Sequence, residues 1–208
     1  MRNETSRTDR GGRSFIEQAR RAQIIEAAAA TVAEVGYAKA SLARIAQRGG
    51  ISKGVLTYHF ATKDEMLRLA ATQFFDDAWA YMAPRITAAD SAASKIHAWI
   101  SAELEYVAAH RTQFLAMSDI VANHRDHHGH HAFAQEFDEE LTGLHDILVQ
   151  GQHQGEFRDF DAYRVANILS RTIEGLLTSW AWDPNLDLAQ EATVLLDFID
   201  HAIRAETS

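Results

Sequence analysis

Helical periodicity is the feature of this sequence that most constrains its fold. Apolar residues recur at spacings of three and four, as at Ile24, Ala28, Val32 and Val35, which form one stripe of a helix. No strict alternation of apolar and polar residues runs far enough to indicate a sheet, and only two prolines occur in 208 residues. We therefore expect an all-α protein with about nine helices.

Composition excludes several chemistries. The chain has no cysteine, so disulfides, thiolate nucleophiles and cysteine-bound metal centres are excluded. No charge-free window reaches the roughly 20 apolar residues that cross a bilayer, and no apolar signal core follows the arginine-bearing N-terminus. We expect a soluble, cytoplasmic protein that has no membrane partner.

Charge is divided unevenly along the chain. Residues 1–63 contain 11 basic and 5 acidic residues, a net charge of +6, whereas residues 64–208 contain 9 basic and 24 acidic residues, a net charge of −15. A basic segment joined to an acidic one is typical of a polyanion-binding domain on a body with another role. The alternative is an uneven scatter without functional meaning.

Capping residues divide the basic segment into short helices. The first helix is expected over residues 16–35 and ends at Gly36. Ser41 caps a second helix that Gly49-Gly50 interrupts, and Ser52 caps a third over residues 53–59. Two short helices joined by a glycine-containing turn, at about residues 40–59, predict a helix-turn-helix.

The order of these landmarks resembles the DNA-binding domain of the TetR family of transcriptional regulators. The residues that carry the resemblance are Ile24-Ile25-Glu26-Ala27-Ala28, Gly36-Tyr37, Ser41-Leu42-Ala43-Arg44-Ile45-Ala46, Gly50-Ile51-Ser52-Lys53-Gly54, Tyr58-His59-Phe60 and Lys63-Asp64-Glu65-Met66-Leu67. The remainder of the chain resembles the family only in being helical and of suitable length.

The resemblance implies a three-helix DNA-binding domain followed by a larger helical bundle that binds an effector and dimerises. We divide the chain into a disordered basic arm (1–14), the helix-turn-helix domain (15–75) and the helical effector-binding and dimerisation domain (76–208). The implied function is that of a homodimeric repressor, not an enzyme, that binds a palindromic operator in double-stranded DNA. A small molecule would release it, and no cofactor or metal is expected.

Residues matched to the family's motif are expected at the DNA, where a recognition helix reads base edges in the major groove. They are Ser41, Arg44, Ser52, Lys53, Gly54, Thr57, Tyr58, His59 and Lys63. Lys63, at the start of the fourth helix, would meet a phosphate. The third helix departs from the family pattern, because Thr57 stands where a tyrosine is usual and lacks the reach of a phenol.

An effector pocket needs apolar walls and a few convergent polar groups. Candidates in the body are Phe74, His97, Trp99, Glu103, Tyr106, Phe114, Met117, Phe137, His145, Asn167, Arg171 and Glu174. Arg171 and Glu174 stand three apart on one helix face, so they can also pair with each other. The acidic body and its aromatic residues favour a hydrophobic effector with some polar or cationic character.

The last two predicted helices are apolar on more than one side, which suits burial against a second copy of the chain. The candidate dimer residues are Val165, Leu169, Ile173, Leu176, Trp180, Leu195, Phe198 and Ile199. An ordinary intrachain core is the alternative for the same residues.

Histidines cluster between His124 and His131. The pairs 124/128 and 127/131 have the i, i+4 spacing of helical metal ligands, but Gly129 interrupts any such helix. We interpret the segment as a solvated loop, and a metal-responsive regulator as the alternative. A second alternative is an enzyme in the helical body that uses His145 or His97, although no motif of a nucleophile or a phosphate-binding loop accompanies them.

Overall fold

The computed structural model describes residues 5–125, 132–183 and 185–205, with side chains from residue 16 onward. These residues form nine α-helices and no strand, which confirms the all-α prediction. The elements are α1 (Thr5–Val35), a 3-10 turn (Tyr37–Lys39), α2 (Leu42–Arg48), α3 (Lys53–His59), α4 (Lys63–Thr87), α5 (Ala92–Ala109), α6 (Arg111–Asn123), α7 (Ala134–Gln154), α8 (Ala162–Trp182) and α9 (Leu188–Ile203).

The chain forms two compact units. The first, called here the N-terminal unit, comprises residues 1–74 together with 112–130, and the second, the C-terminal unit, comprises residues 75–111 and 131–208. Helix α6 therefore belongs to the same unit as the helix-turn-helix. Sequence analysis had placed residues 112–130 in the C-terminal domain, because sequence order alone does not show that α6 packs with the N-terminal helices.

The N-terminal unit is built on the apolar stripe of α1. Ile24, Ala28 and Val32 are at most 1% exposed, as the helical periodicity predicts. Gly36 then adopts φ +81, a left-handed conformation that favours glycine, and the chain turns toward α2.

Helix α1 begins at Thr5, ahead of the predicted start at residue 16. Residues 5–14 of the predicted disordered arm are therefore helical, and residues 1–4 lie outside the described part of the chain. The physical reason is that extending an established helix adds one hydrogen bond per residue without a new nucleation cost.

In the C-terminal unit, α5 packs against α7 and α9, and α7 packs against α8. The Glu156 carboxylate joins the segment after α7 to the first turn of α5, where it accepts hydrogen bonds from Ala92 N at 3.1 Å and Ala93 N at 3.0 Å. Burial alone would raise the pKa of Glu156, but these hydrogen bonds, with Ser91 and Lys95, lower it below its usual range. The carboxylate thus satisfies two donors at a helix N-terminus.

Two helices continue past residues that commonly end a helix. Helix α4 continues past Pro84 to Thr87, and the Arg85 guanidinium donates to the Tyr81 carbonyl at 2.6 Å in the turn that the proline disturbs. Helix α7 passes through Gly151 and ends at Gly155, which has φ +74. The Phe157 ring occupies the space that a side chain at position 151 would need.

Within the described residues, no helix is both long enough and apolar enough to cross a membrane.

Candidate functional site

Helix α3 exposes almost its whole surface. Leu56 is its one buried residue and anchors it in the N-terminal unit with no exposed surface. Tyr58 is 76% exposed and stacks edge-on against His59. The apolar side chain of Val55 is also exposed. The helix therefore presents a continuous outward face whose predicted DNA-contacting residues are Ser52, Lys53, Gly54, Thr57, Tyr58 and His59.

Local hydrogen bonds decide which atoms of α3 face outward. Ser52 Oγ caps the helix by accepting from Val55 N at 3.2 Å. The Thr57 hydroxyl donates back to the Lys53 carbonyl at 3.0 Å, with the Gly54 carbonyl 3.2 Å away. Because the Thr57 hydroxyl is hydrogen-bonded to the helix backbone, the methyl group is the part of this side chain that is left for contact with a base.

The predicted residues of α2 are also at the surface. Ser41 Oγ accepts from Arg44 N at 3.3 Å, and both residues are exposed. Ile45 and Ala46 hold the opposite face of the helix in the core. The cap fixes the start of α2 while the Arg44 guanidinium remains available for a phosphate.

Lys63 is half-buried and makes an internal hydrogen bond. Its Nζ donates to the Tyr37 carbonyl at 2.7 Å and lies 4.5 Å from the centre of the Tyr37 ring. For the predicted contact with a phosphate, the Lys63 ammonium group would therefore have to bind the phosphate while it also donates to the Tyr37 carbonyl.

Two α1 side chains that sequence analysis missed hold the ends of the helix-turn-helix. Arg21 donates to the His59 carbonyl at the end of α3, and its guanidinium lies 4.3 Å from the centre of the Phe60 ring. Gln23 Nε2 donates to the Gly49 carbonyl after α2 at 2.8 Å. These pairs are 38 and 26 residues apart, so no sequence spacing could have indicated them.

Tyr37 connects the turn before α2 to α6. Its N–H donates to Asp119 Oδ2 at 2.6 Å, and its ring meets His124 edge-on. Partial burial and, next, the Asp64 carboxylate raise the pKa of Tyr37. These contacts with the C-terminal part of α6 therefore fix the turn that precedes the helix-turn-helix.

The predicted histidine loop is only partly described. His124 is 6% exposed in the N-terminal unit, whereas residues 126–131, with the other four histidines, lie outside the described residues. In the described part of the chain, no group of three or more His, Asp or Glu residues could hold a metal ion.

The comparisons with known proteins agree with this geometry. Residues 24–70 match the family model described as bacterial regulatory proteins, tetR family, and these residues contain the capped α2–α3 pair. The segment of residues 24–70 belongs to the TetR family.

Curated relatives match the same region of this chain. The HTH-type transcriptional regulator BetI of Burkholderia thailandensis is 32% identical over 91 residues, which are 43% of this chain and 47% of that protein. The regulator BetI 1 of Chromohalobacter salexigens is 40% identical over 62 residues, 30% of this chain and 31% of that one. The matched segment thus spans at most about half the length of these relatives.

Solved structures extend the likeness to the whole TetR-family fold. The ketosteroid transcriptional regulator KstR2 of Mycobacterium tuberculosis has a TM-score of 0.75 at 24% identity, over 90% of this chain and 96% of that one. The TetR-family regulator PfmR of Thermus thermophilus has a TM-score of 0.75 at 22% identity, over 86% and 97%. At these identities the likeness is one of fold.

The structure does not place the twelve candidate effector residues in one unit. Phe74, Phe114 and Met117 belong to the N-terminal unit, where the centres of the two phenyl rings are 6.3 Å apart. This differs from the sequence-based expectation, because α4 contributes residues to both units and α6 packs with the first.

Four candidates of the C-terminal unit are engaged near the surface. His97 Nε2 lies 2.8 Å from Asp200 Oδ1, beside an open cavity of about 340 Å³. His145 lies 3.1 Å from its neighbour Asp146. Arg171 and Glu174 form an exposed ion pair at 2.7 Å, one of the two possibilities that their spacing offered. Exposed pairs of this kind contribute little to stability.

The remaining candidates lie deeper in the C-terminal unit. Asn167 is half-buried on α8, and the Phe137 ring meets Phe75 with centres 6.2 Å apart. Tyr106 stacks on His110, and burial followed by the Asp77 carboxylate raises the pKa of Tyr106. Trp99 and Glu103 are four residues apart on α5, so one turn of the helix places their side chains next to each other.

The candidate dimer residues divide by burial. Leu169, Ile173, Trp180 and Ile199 are at most 7% exposed, so they belong to the chain's own core and not to a surface for a partner. Val165, Leu176 and Leu195 are half-buried, and Phe198 is 67% exposed. The outward apolar residues of α8 and α9 are instead Tyr163, Ile168, Trp182, Val194 and Phe198. Sequence analysis identified the helices but not which of their faces the core would cover.

Proposed function

We propose that this TetR-family chain is a homodimeric transcriptional repressor that binds a palindromic operator and leaves it when a small hydrophobic or cationic effector binds the C-terminal unit. The observation that carries the proposal is the outward face of α3, a short helix anchored through Leu56 and otherwise open to a partner. A helix of this form fits the major groove.

Charge supports DNA as the partner of this face. The segment that contains α1 to α3 has a net charge of +6 while the rest of the chain has −15. Phosphate contacts by basic residues set the position of a protein on DNA, and an acidic remainder disfavours docking in other orientations. Lys53 on α3 and Arg44 on α2 are exposed basic residues suited to such phosphate contacts.

Dimerisation is supported by the exposed faces of α8 and α9. Ile168 is 61% exposed and Trp182 is 85% exposed, and Val194 and Phe198 have similar exposure on α9. Large apolar side chains exposed at helical spacing indicate a surface for another protein. A second copy is the partner that fits a palindromic DNA site, because the symmetry of the operator matches that of a dimer.

The alternatives have weaker support. The relatives that match the sequence are named as transcriptional regulators, which favours regulation over an enzyme in the helical body. The described part of the histidine segment contributes His124 to the packing around Tyr37. A metal-responsive regulator therefore has no specific observation in its favour.

The test is a gel-shift titration of the full-length chain against the DNA upstream of its own coding sequence, followed by footprinting of the protected site. We expect a palindromic footprint. Replacing Tyr58 by alanine should weaken binding by at least about tenfold, the scale of one specific contact. Replacing Lys53 by alanine should reduce the slope of affinity against salt by about one per copy of the chain.

A matched control is Arg164→Ala, which removes an exposed positive charge from α8. Its affinity and salt slope for the operator should equal those of the wild type. Equal loss of binding in the α8 control and the α3 variants would show a general charge effect and refute the assignment of α3 as the reading helix.

A further inference from the structure

Two carboxylic acids inside the C-terminal unit lie close enough for the charge of one to affect the other, on helices that pack together. Glu103 lies on α5 and Glu140 on α7, and neither is among the exposed residues of its helix. Glu103 Oε2 is buried and lacks a hydrogen-bond partner among the described residues. A buried acidic oxygen of this kind lowers stability unless something pairs with it.

Trp99 adds a second unpartnered group at the same place. It is 3% exposed and stands one turn before Glu103, and its Nε1–H is buried without a well-formed hydrogen bond in the described structure. The indole N–H is directed to the Glu103 carboxyl group closely enough to oppose the rise in its pKa. A polar ligand that pairs with both groups would satisfy a buried donor and a buried acceptor that each lack a full partner.

Two indole rings lie against each other beside Glu103. The Trp79 and Trp99 ring centres are 5.4 Å apart at 58°, and Trp79 is about half exposed. Gly143 of α7 lies against the Trp99 ring, where a Cβ atom would come within 2.7 Å. The absence of a side chain at position 143 therefore allows the indole to lie directly on α7.

The surrounding charges do not neutralise the two acids. On α8, Arg171 is the nearest basic residue that affects Glu140, but its guanidinium is exposed and bonded to Glu174. Glu174 adds a further negative charge, and the Ser170 hydroxyl offers a hydrogen bond to Glu140. The site thus has an excess of acidic groups and no buried base.

We propose that Glu103, Glu140 and the Trp79–Trp99 pair form a binding site for a small organic cation. A carboxylate pair supplies the negative charge, and indole faces attract an ammonium group or its methyl substituents. A divalent metal fits less well, because the described residues contain no group of three carboxylate or imidazole ligands.

Proton release should accompany binding. Burial, and next the negative charge of Glu140, raises the pKa of Glu103 to about 8, and burial also raises the pKa of Glu140. Without a ligand, Glu103 therefore holds its proton near neutral pH, and burial favours the protonated form of Glu140 as well. A cation competes with those protons, so its affinity should rise with pH even when the cation itself does not titrate.

The role of this site as the effector site rests on the proposed function, whereas cation binding can be tested without DNA. The probes are tetramethylammonium and benzyltrimethylammonium chloride, with benzyl alcohol as the neutral control and benzoate as the anionic control. Binding to the full-length chain is followed by calorimetry and by tryptophan fluorescence. We expect one or both ammonium probes to bind at least about tenfold more tightly than either control.

Substitutions at three acidic residues test where on the chain the ammonium probe binds. Glu103→Gln and Glu140→Gln should each weaken the ammonium probe by at least about tenfold, whereas Glu139→Gln, which removes an exposed charge from the same helix α7, should leave it unchanged. Wild-type affinity should rise about tenfold between pH 7 and pH 9, and Glu103→Gln should flatten that rise.

Three results would overturn the proposal. The first is that neither ammonium probe binds. The second is that the Glu103 and Glu139 variants bind the probe equally well. The third is that calorimetry shows binding of Mg²⁺ or Zn²⁺ without an ammonium probe, and that this binding requires both Glu103 and Glu140. Gel shifts on the same samples separate the two proposals. Operator binding without ammonium binding overturns the cation site alone, and ammonium binding through Glu103 without operator binding overturns the proposed regulator alone.

Discussion

Replacing Glu103 by glutamine should change how the stability of the chain depends on pH. Glu103 has a pKa of about 8 in the folded protein, against an ordinary value of 4.5. The folded state therefore keeps the proton over a pH range in which the unfolded chain has lost it. Because the folded state binds more protons there, the free energy of unfolding falls as the pH rises from 4.5 toward 8.

The size of this fall follows from the two pKa values. Each tenfold change in proton affinity corresponds to about 1.4 kcal/mol, so the interval between the two pKa values amounts to on the order of 5 kcal/mol. Glutamine has no proton to lose and resembles the protonated acid in shape. The Glu103→Gln chain should therefore be similar to the wild type near pH 4.5 and more stable by several kcal/mol above pH 8.

The assay is urea denaturation at a series of pH values for the wild type, Glu103→Gln and the exposed control Glu139→Gln. The difference between wild type and Glu103→Gln removes the contributions of the titrating groups that the two chains share, apart from that of Glu140, which is electrostatically coupled to Glu103. Parallel curves of stability against pH for these two chains would show that Glu103 ionises normally, and would refute the reasoning. The Glu139 control should follow the wild type throughout.

Three further predictions test other parts of the structure. Leu56→Ala should lower the free energy of unfolding by about 2–5 kcal/mol because Leu56 is fully buried. Tyr58→Ala, at an exposed position of the same helix, should change the free energy of unfolding by no more than about 0.5 kcal/mol. Thermal or urea denaturation compares the two variants. Glu156→Gln should cost about 1 kcal/mol at pH 7, and denaturation in acid should show the difference disappearing as the pH falls through the lowered pKa of Glu156. At Gly175 on α8, an added Cβ would meet no other atom of the chain, so Gly175→Arg should leave the fold intact and obstruct only a partner on this face. Light scattering should therefore find a folded monomer. A dimer of unchanged mass would show that this face of α8 is not the interface.

The sequence predicts the helix-turn-helix well because its signals are local. Ser41 and Ser52 each accept a hydrogen bond from an N–H three residues later, and Gly36 takes the left-handed conformation expected at the end of α1. These interactions involve neighbours in the chain, and residue type alone indicates them. The same holds for the buried stripe that includes Ile24.

Helix lengths were predicted less well wherever tertiary contacts override local preference. Gly151 indicates a helix end in the sequence, but packing of Phe157 on it keeps α7 continuous. Pro84 likewise indicates the end of α4, but the helix continues to Thr87 and the Arg85 side chain bonds the carbonyl of Tyr81. Neither contact has a periodic signature.

The sequence by itself determined the all-helical class, the capped pair α2–α3 and the basic character of the N-terminal segment, because periodicity, capping and charge are properties of residues close together in the chain. Only the tertiary structure decided that α6 packs with the N-terminal helices and that Leu169 and Ile173 face the core while Ile168 faces outward. Only the tertiary structure brought Glu103 and Glu140 together, because two acids 37 residues apart in the sequence share a site only when their helices pack.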